Sequence, residues 1–250
     1  MKIELIPLLK LQRDLYDVSN AQKRFDLYLK TMLNTDASDA DLLPMVAMNP
    51  MGKEHIPKML DTLLAINAET EAAHTIATVA DSFREDEDSD TFKLGLVVVD
   101  DLMGGWTNRY TCEFDHRFRV EHNLKRRWLT VMLWTSETPS VQKVREETLV
   151  TLYRTRYIRQ HGVAHTLQEM LRQEGYAMAM SDCQQPTLES EDIAYTWEVI
   201  SSHLSTQDHP TIMACLFGDR AAHLLGYTPQ GLSDRAGLAA ALAQYRSTVE

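Results

Sequence analysis

The sequence predicts a predominantly helical α+β protein with one small, mostly antiparallel sheet of about three strands in the middle of the chain. Apolar residues recur at three- and four-residue spacing up to residue 83 and again from residue 140 onward, which is typical of helices. Between residues 92 and 134 the apolar period shortens to about two, which is typical of strands. The order of helices, sheet and helices indicates a single domain over residues 1–250.

One acidic stretch interrupts this organisation. Residues 84–90 carry five acidic side chains against one basic side chain, so we expect a solvated loop there. If the chain is divided, this loop is the predicted boundary. It would separate a helical part, residues 1–83, from a part made of the sheet and further helices, residues 91–250.

The N-terminal part is predicted to be helical from its first residues to Phe83. Segment 48–52, which reads MNPMG, predicts a turn before one of these helices. The apolar stripe of that helix has helical spacing and contains Ile56, Leu60, Leu63 and Leu64.

Three segments predict the sheet. Residues 92–99 and 128–134 are apolar on both faces, so we expect two buried strands. Residues 110–119 alternate between apolar and polar side chains, which predicts a strand between them with Glu113 on its polar face. Residues 100–109 would then form a hairpin connection of about eight residues, longer than the two to five residues of a tight hairpin.

The C-terminal part is predicted to be helical from residue 140 to about residue 245. Thr166 and Glu169 have the Thr-x-x-Glu spacing of a capping box, which predicts the start of a helix. Gly175 is expected to end that helix, and Ser233 is expected to cap the last one.

Composition restricts the class of function. The chain has 36 acidic and 25 basic residues, a formal net charge of −11 and a pI near 5.3. Such an acidic chain is a poor match for a dedicated nucleic-acid-binding protein. No apolar run reaches the roughly 18 residues of a membrane helix, so we expect neither nucleic acid nor a membrane as partner. A soluble cytoplasmic protein is favoured by the absence of a signal-peptide pattern and by three widely spaced cysteines, Cys112, Cys183 and Cys215.

The connection at residues 100–109 is the main candidate for a functional site. Acid–base catalysis is assigned to three carboxylates in or beside it: Asp100, Asp101 and Glu113. Ligand binding is assigned to the residues expected next to them: Gly104, Gly105, Trp106, Asn108 and Arg109. This combination favours a small-molecule enzyme that takes a small anionic or polar ligand and requires no cofactor. The alternative interpretation is a long hairpin turn in which Trp106 folds back onto the sheet and Arg109 pairs with the acidic loop.

A second hypothesis depends on the charge of residues 109–159. This segment has eleven basic residues against six acidic ones. Such a basic patch could bind an acidic partner, and with the helical surface it would make the chain a non-catalytic interaction module or a homo-oligomer. The same charges could instead form ion pairs within the chain.

A third hypothesis is a degenerate metal-dependent hydrolase. His161, His165 and Glu169 are spaced by four residues, which would place them on one face of a continuous helix, suitable for zinc. Gly162 interrupts that helix, and the glutamate that serves as base in HExxH metalloproteases is missing. The sequence therefore predicts no metal site.

Overall fold

The computed structural model describes residues 1–52, 54–84, 90–102 and 107–249. The strands are β1 (Lys2–Leu5), β2 (Thr91–Val99) and β3 (Trp128–Trp134). A short 3-10 helix covers Leu43–Ala47. The α-helices are α1 (Leu9–Leu15), α2 (Ala21–Met32), α3 (His55–Ala65), α4 (Ala68–Arg84), α5 (Arg109–Phe118), α6 (Glu121–Lys125), α7 (Val141–His161), α8 (Leu167–Met180), α9 (Ser190–Ser201), α10 (His209–Phe217), α11 (Asp219–Leu225) and α12 (Ala236–Val249).

The chain forms two compact units. Unit 1 comprises Met1–Arg109 and Glu121–Thr151 and contains the sheet, and unit 2 comprises Tyr110–Val120 and Leu152–Glu250. The predicted boundary at residues 84–90 contains residues 85–89, which lie outside the described residues. Whether the two units unfold together is a thermodynamic property, so the single-domain organisation stays a prediction. Along the described chain, no helix combines the length and the apolar character needed to cross a membrane.

The prediction of a mostly antiparallel sheet is wrong, because the strands are all parallel, in the order β1–β2–β3. Leu94 of β2, for example, pairs with Leu5 on one side and with Leu129 on the other. Strands that are apolar on both faces are typical of parallel sheets, whose crossover connections cover both faces. The predominantly helical character of the chain is confirmed.

The predicted strand at residues 110–119 is a helix, α5. Its alternation of apolar and polar residues conceals a helical stripe, because the buried positions 113, 114 and 118 lie three, four and eight residues after position 110 and so share one helix face. These buried residues are Tyr110, Glu113, Phe114 and Phe118. Residues 100–109 therefore connect a strand to a helix and are not a hairpin connection.

The prediction of a helix at the start of the chain is wrong for residues 2–5, which form β1. This strand is too short to pair with the full length of β2. Its pairing with β2 stops at Leu5, opposite Leu94. Beyond that point the buried amide of Gln12, on α1, takes the place of a neighbouring strand. Its Nε2 donates to the Val98 carbonyl oxygen at 2.8 Å, and its Oε1 accepts from the Val98 amide at 3.0 Å. Both buried backbone groups of Val98 are thereby satisfied on this side of β2.

The capping box at Thr166 and Glu169 is confirmed at the start of α8. Gly175 does not end this helix, which continues to Met180. A Cβ atom at position 175 would lie 2.7 Å from the carbonyl oxygen of Ala241 on α12. Glycine is needed here because the two helices approach closely, and not because the helix ends.

The core of unit 1 gives a first stability prediction. Val97, Val99, Val131 and Leu133 are predicted to be buried, and each is at most 2% exposed. We expect Leu133→Ala to lower the free energy of unfolding by about 2–4 kcal/mol, measured by urea denaturation, because it leaves a cavity beside the sheet. Thr91→Ala, at an exposed position of β2, is the control and should change it by less than about 0.5 kcal/mol. Equal denaturation midpoints for the two variants would contradict the placement of the sheet.

Candidate functional site

Polar side chains follow two adjacent strands at the carboxyl edge of the sheet. Asp100 and Asp101 come directly after β2, and Thr135 and Ser136 come directly after β3. Since the strands are parallel and adjacent, both sets lie at the same edge. In open parallel sheets, ligands bind outside this edge.

Asp100 is the centre of this edge. Its side chain is fully buried, and its carboxylate accepts hydrogen bonds from Asn49 Nδ2 at 2.9 Å and from the backbone amide of Leu102 at 3.3 Å. His55 Nε2 lies 2.8 Å from Asp100 Oδ1, and the Thr135 hydroxyl lies 3.2 Å from the same oxygen. A buried carboxylate is stable only when donors surround it in this way.

His55 is the first residue of α3, and 24% of its side chain is exposed. Asp100 holds Nε2, whereas Nδ1 makes no hydrogen bond to any of the described residues. Because a carboxylate only accepts hydrogen bonds, this contact orients the ring and favours the tautomer that carries its proton on Nε2.

The segment that carries Asn49 and Pro50 is fixed by hydrogen bonds from two helices of unit 1 and their ends. The Tyr16 hydroxyl donates to the Asn49 carbonyl oxygen at 2.5 Å, and Arg24 Nε donates to the Pro50 carbonyl oxygen at 2.6 Å. At Gly52, a Cβ atom would lie 2.0 Å from the end of the Ile56 side chain, which would have to shift to accept a larger residue. A site that transfers protons needs this kind of supported geometry.

Asp101 and Arg109 form a second cluster at the same edge. Asp101 accepts from the Ser136 amide at 2.9 Å and from the Ser136 hydroxyl at 2.6 Å, and Arg109 Nη1 lies 3.1 Å from its Oδ2. Arg109 also pairs with Glu137 and lies over the Trp134 ring, with Cζ 5.0 Å from the ring centroid. The positive charge of Arg109 is thus shared between Asp101 and Glu137. The main effect of Arg109 is therefore to hold the residues after β2 and β3 in place.

Glu113, the third predicted catalytic carboxylate, belongs to unit 2. Arg235 holds it with two hydrogen bonds of 2.6 and 2.7 Å, and Arg117 Nη2 lies 3.5 Å away. Arg117 also pairs with Glu174, whose carboxylate accepts from Arg154 Nε at 2.7 Å and from Arg154 Nη2 at 3.0 Å. These contacts form a largely buried ion-pair network within unit 2, in which removing one partner would leave a buried charge without compensation.

The network predicts a loss of stability in acid. Burial by itself would raise the pKa of Glu174, but the charges of Arg154 and Arg117 outweigh it and lower the pKa to about 2. In the unfolded chain a glutamate titrates near a pKa of roughly 4.3. The ionised Glu174 therefore contributes stability that is fully present above the unfolded pKa and is lost as the pH falls toward 2.

We expect the free energy of unfolding, measured by urea titration at a series of pH values, to fall across this window. The fall should be smaller in Glu174→Gln, which cannot ionise. Equal pH dependence in the two proteins would show that Glu174 is not responsible.

The structure places the remaining predicted residues as follows. Asn108 is exposed, and Gly104, Gly105 and Trp106 lie outside the described residues. Glu169 accepts from the amides of His165 and Thr166 in the capping box, and the His161 ring packs against Tyr157. In the described ranges, no three His, Cys, Asp or Glu side chains are grouped as a metal site requires.

Sequence reasoning missed Asn49, His55 and Thr135. Asn49 lies in segment 48–52 and His55 follows it, but nothing local connects either residue with Asp100, which comes 51 and 45 residues later in the chain. Thr135 would have been identified if the sheet had been predicted as parallel, because the residues after β2 and β3 then lie at the same edge.

Comparisons with protein-family models, with curated proteins and with solved structures find no match to this chain.

Proposed function

We propose that the chain is a small-molecule hydrolase in which His55 is the general acid–base and Asp100 positions it. One observation carries the proposal: a fully buried carboxylate, surrounded by donors, holds one nitrogen of a partly exposed imidazole. The pair lies beside the carboxyl edge of a parallel sheet, where α/β enzymes bind their ligands.

The proposed reaction uses two proton transfers. His55 Nδ1 accepts a proton from a water molecule while the water oxygen attacks the electrophilic centre of the substrate. The resulting imidazolium is stabilised by the negative charge of Asp100, and it then returns the proton from Nδ1 to the leaving group. Imidazole and water supply this chemistry without a metal or a cofactor.

Water is the proposed nucleophile because no hydroxyl or thiol group among the described residues hydrogen-bonds to His55. The hydroxyl group of Thr135, which shares Asp100 Oδ1 with His55, is directed at the carboxylates of Asp100 and Asp101. The reaction is therefore a direct hydrolysis and forms no covalent enzyme intermediate.

A small polar substrate fits this edge best. Hydrogen-bonding groups at the same edge as His55 and Asp100 come from Asp101, Arg109 and Ser136. The charges of Asp101 and Arg109 are largely balanced within the chain. Arg109 would position this edge through its hydrogen bonds to Asp101, Ser136 and Glu137, and Asn108, which is exposed next to it, would contact the polar end of the substrate.

The alternative of an interaction module that uses residues 109–159 has less support. At least eight of the eleven basic residues in this segment make ion pairs with acidic groups of their own unit, so much of the positive charge is neutralised internally. These residues are Arg109, Arg117, Arg119, Arg126, Arg127, Lys143, Arg145 and Arg154.

We also propose that the protein acts in the cytoplasm. Cys112, Cys183 and Cys215 form no disulfide bond, and sparse cysteines without disulfides are typical of a reducing compartment. Burial raises the pKa of Cys112 and of Cys215 to about 11, so both thiols stay protonated and unreactive.

A panel of small esters, amides and phosphate esters tests the proposed function. We expect wild-type protein to hydrolyse at least one class, and we expect His55→Ala to lower kcat for that class by at least about 100-fold. His74→Ala is the matched control, because His74 is an exposed histidine of the same unit, on α4. Hydrolysis that persists in His55→Ala at the wild-type rate would contradict the proposal.

A further inference from the structure

Unit 2 contains a pocket of about 320 Å³ that the proposed hydrolysis does not use. Two of its lining residues, Ala239 and Leu242 on α12, are almost fully buried. Leu188 and Ile193 add further apolar surface. The volume lies within the range of small-molecule sites, roughly 300–1,000 Å³.

One cation lines this apolar pocket. Arg246, on α12, is half-buried, and its Nη2 donates to the carbonyl oxygen of Cys183. That hydrogen bond fixes the guanidinium group beside the pocket. In the described part of the chain, Arg246 makes no ion pair with a carboxylate, and its Nε and Nη1 donors make no hydrogen bond.

We propose that this pocket binds an amphipathic monocarboxylate, a molecule with a compact apolar body and a single carboxylate group. The apolar body would pack against Leu188, Ile193 and Leu242, which removes apolar surface from water. The carboxylate would accept hydrogen bonds from the free donors of Arg246, whose planar fork matches its geometry. A single guanidinium favours one negative charge, since a second charge would have no cation to pair with.

Octanoate is the probe, and octanol, which has the same apolar chain and no charge, is the control ligand. We expect octanoate to shift the amide resonances of Ala239, Leu242 and Ala243 in a ¹H–¹⁵N NMR titration. Arg246→Gln should weaken octanoate binding at least about tenfold, because it removes a charge-assisted interaction. It should leave the weaker binding of octanol unchanged.

Ala243→Trp provides a second variant. Ala243 lines the pocket and is half-exposed, so a large side chain there fills the pocket without disturbing a buried core position. This variant should abolish the binding of both ligands. The proposal is overturned if octanoate shifts no pocket resonance, or if it binds Ala243→Trp as tightly as wild type. It is also overturned if octanoate and octanol bind wild type equally, which would indicate a merely apolar surface.

Discussion

We expect Glu174→Ala to lower the free energy of unfolding by about 3–5 kcal/mol. The side chain of Glu174 is fully buried, and that of Arg154 is only 6% exposed. Removing the carboxylate leaves the Nε and Nη2 donors of Arg154 without the acceptor that they share, and it leaves a charge buried without a partner. Urea denaturation followed by circular dichroism measures the loss.

Glu198→Ala is the control for this prediction. Glu198 is an exposed glutamate of the same unit, on α9, and its replacement should change the free energy of unfolding by less than about 0.5 kcal/mol. A loss below about 1 kcal/mol for Glu174→Ala would mean that the network contributes little to the stability of unit 2.

We expect Asp100→Asn to lower kcat roughly 100- to 10,000-fold for whichever substrate class the wild type hydrolyses. The amide keeps the size of the carboxylate but can present an NH₂ group to His55 Nε2. The imidazole then accepts at Nε2 and carries its proton on Nδ1, so it cannot accept a proton from water there. The loss of negative charge also removes the stabilisation of the imidazolium.

Asp26→Asn, at an exposed position of α2, is the matched control and should keep wild-type activity. Because Asp100 is buried, the unfolding curve of Asp100→Asn must be measured as well, and assays must be run where the variant is fully folded. A folded Asp100→Asn protein with wild-type kcat would contradict the positioning role of Asp100.

The fold could be predicted where a long apolar run determined it. Residues 92–99 and 128–134 are apolar on both faces and are the two long strands. Their direction was predicted incorrectly, because Tyr110 to Phe118 shows both a two-residue alternation and a helical stripe. Choosing the alternation turned α5 into a strand and so required a hairpin. The four-residue β1 could not be recognised, since its place in the sheet depends on its pairing with β2, about 90 residues away.

The candidate site could also be predicted only where the signal was local in the sequence. Asp100 and Asp101 are identified because they are two adjacent carboxylates directly after an apolar strand, and Arg109 does pair with Asp101. His55 could not be connected with them, because its contact with Asp100 spans 45 residues and follows only from the tertiary fold. Glu113 was selected by the incorrect alternation, and its carboxylate is instead part of the network in unit 2.

The protonation of the His55 ring tests the central claim most directly and requires no substrate. Long-range ¹H–¹⁵N NMR at neutral pH distinguishes which ring nitrogen carries the proton, and His55→Ala assigns the signals. If Asp100 positions His55 as a base, the neutral ring carries its proton on Nε2 and Nδ1 is bare, and Asp100→Asn moves the proton to Nδ1. A wild-type ring protonated on Nδ1, or a ring whose tautomer is the same in wild type and Asp100→Asn, would contradict the account.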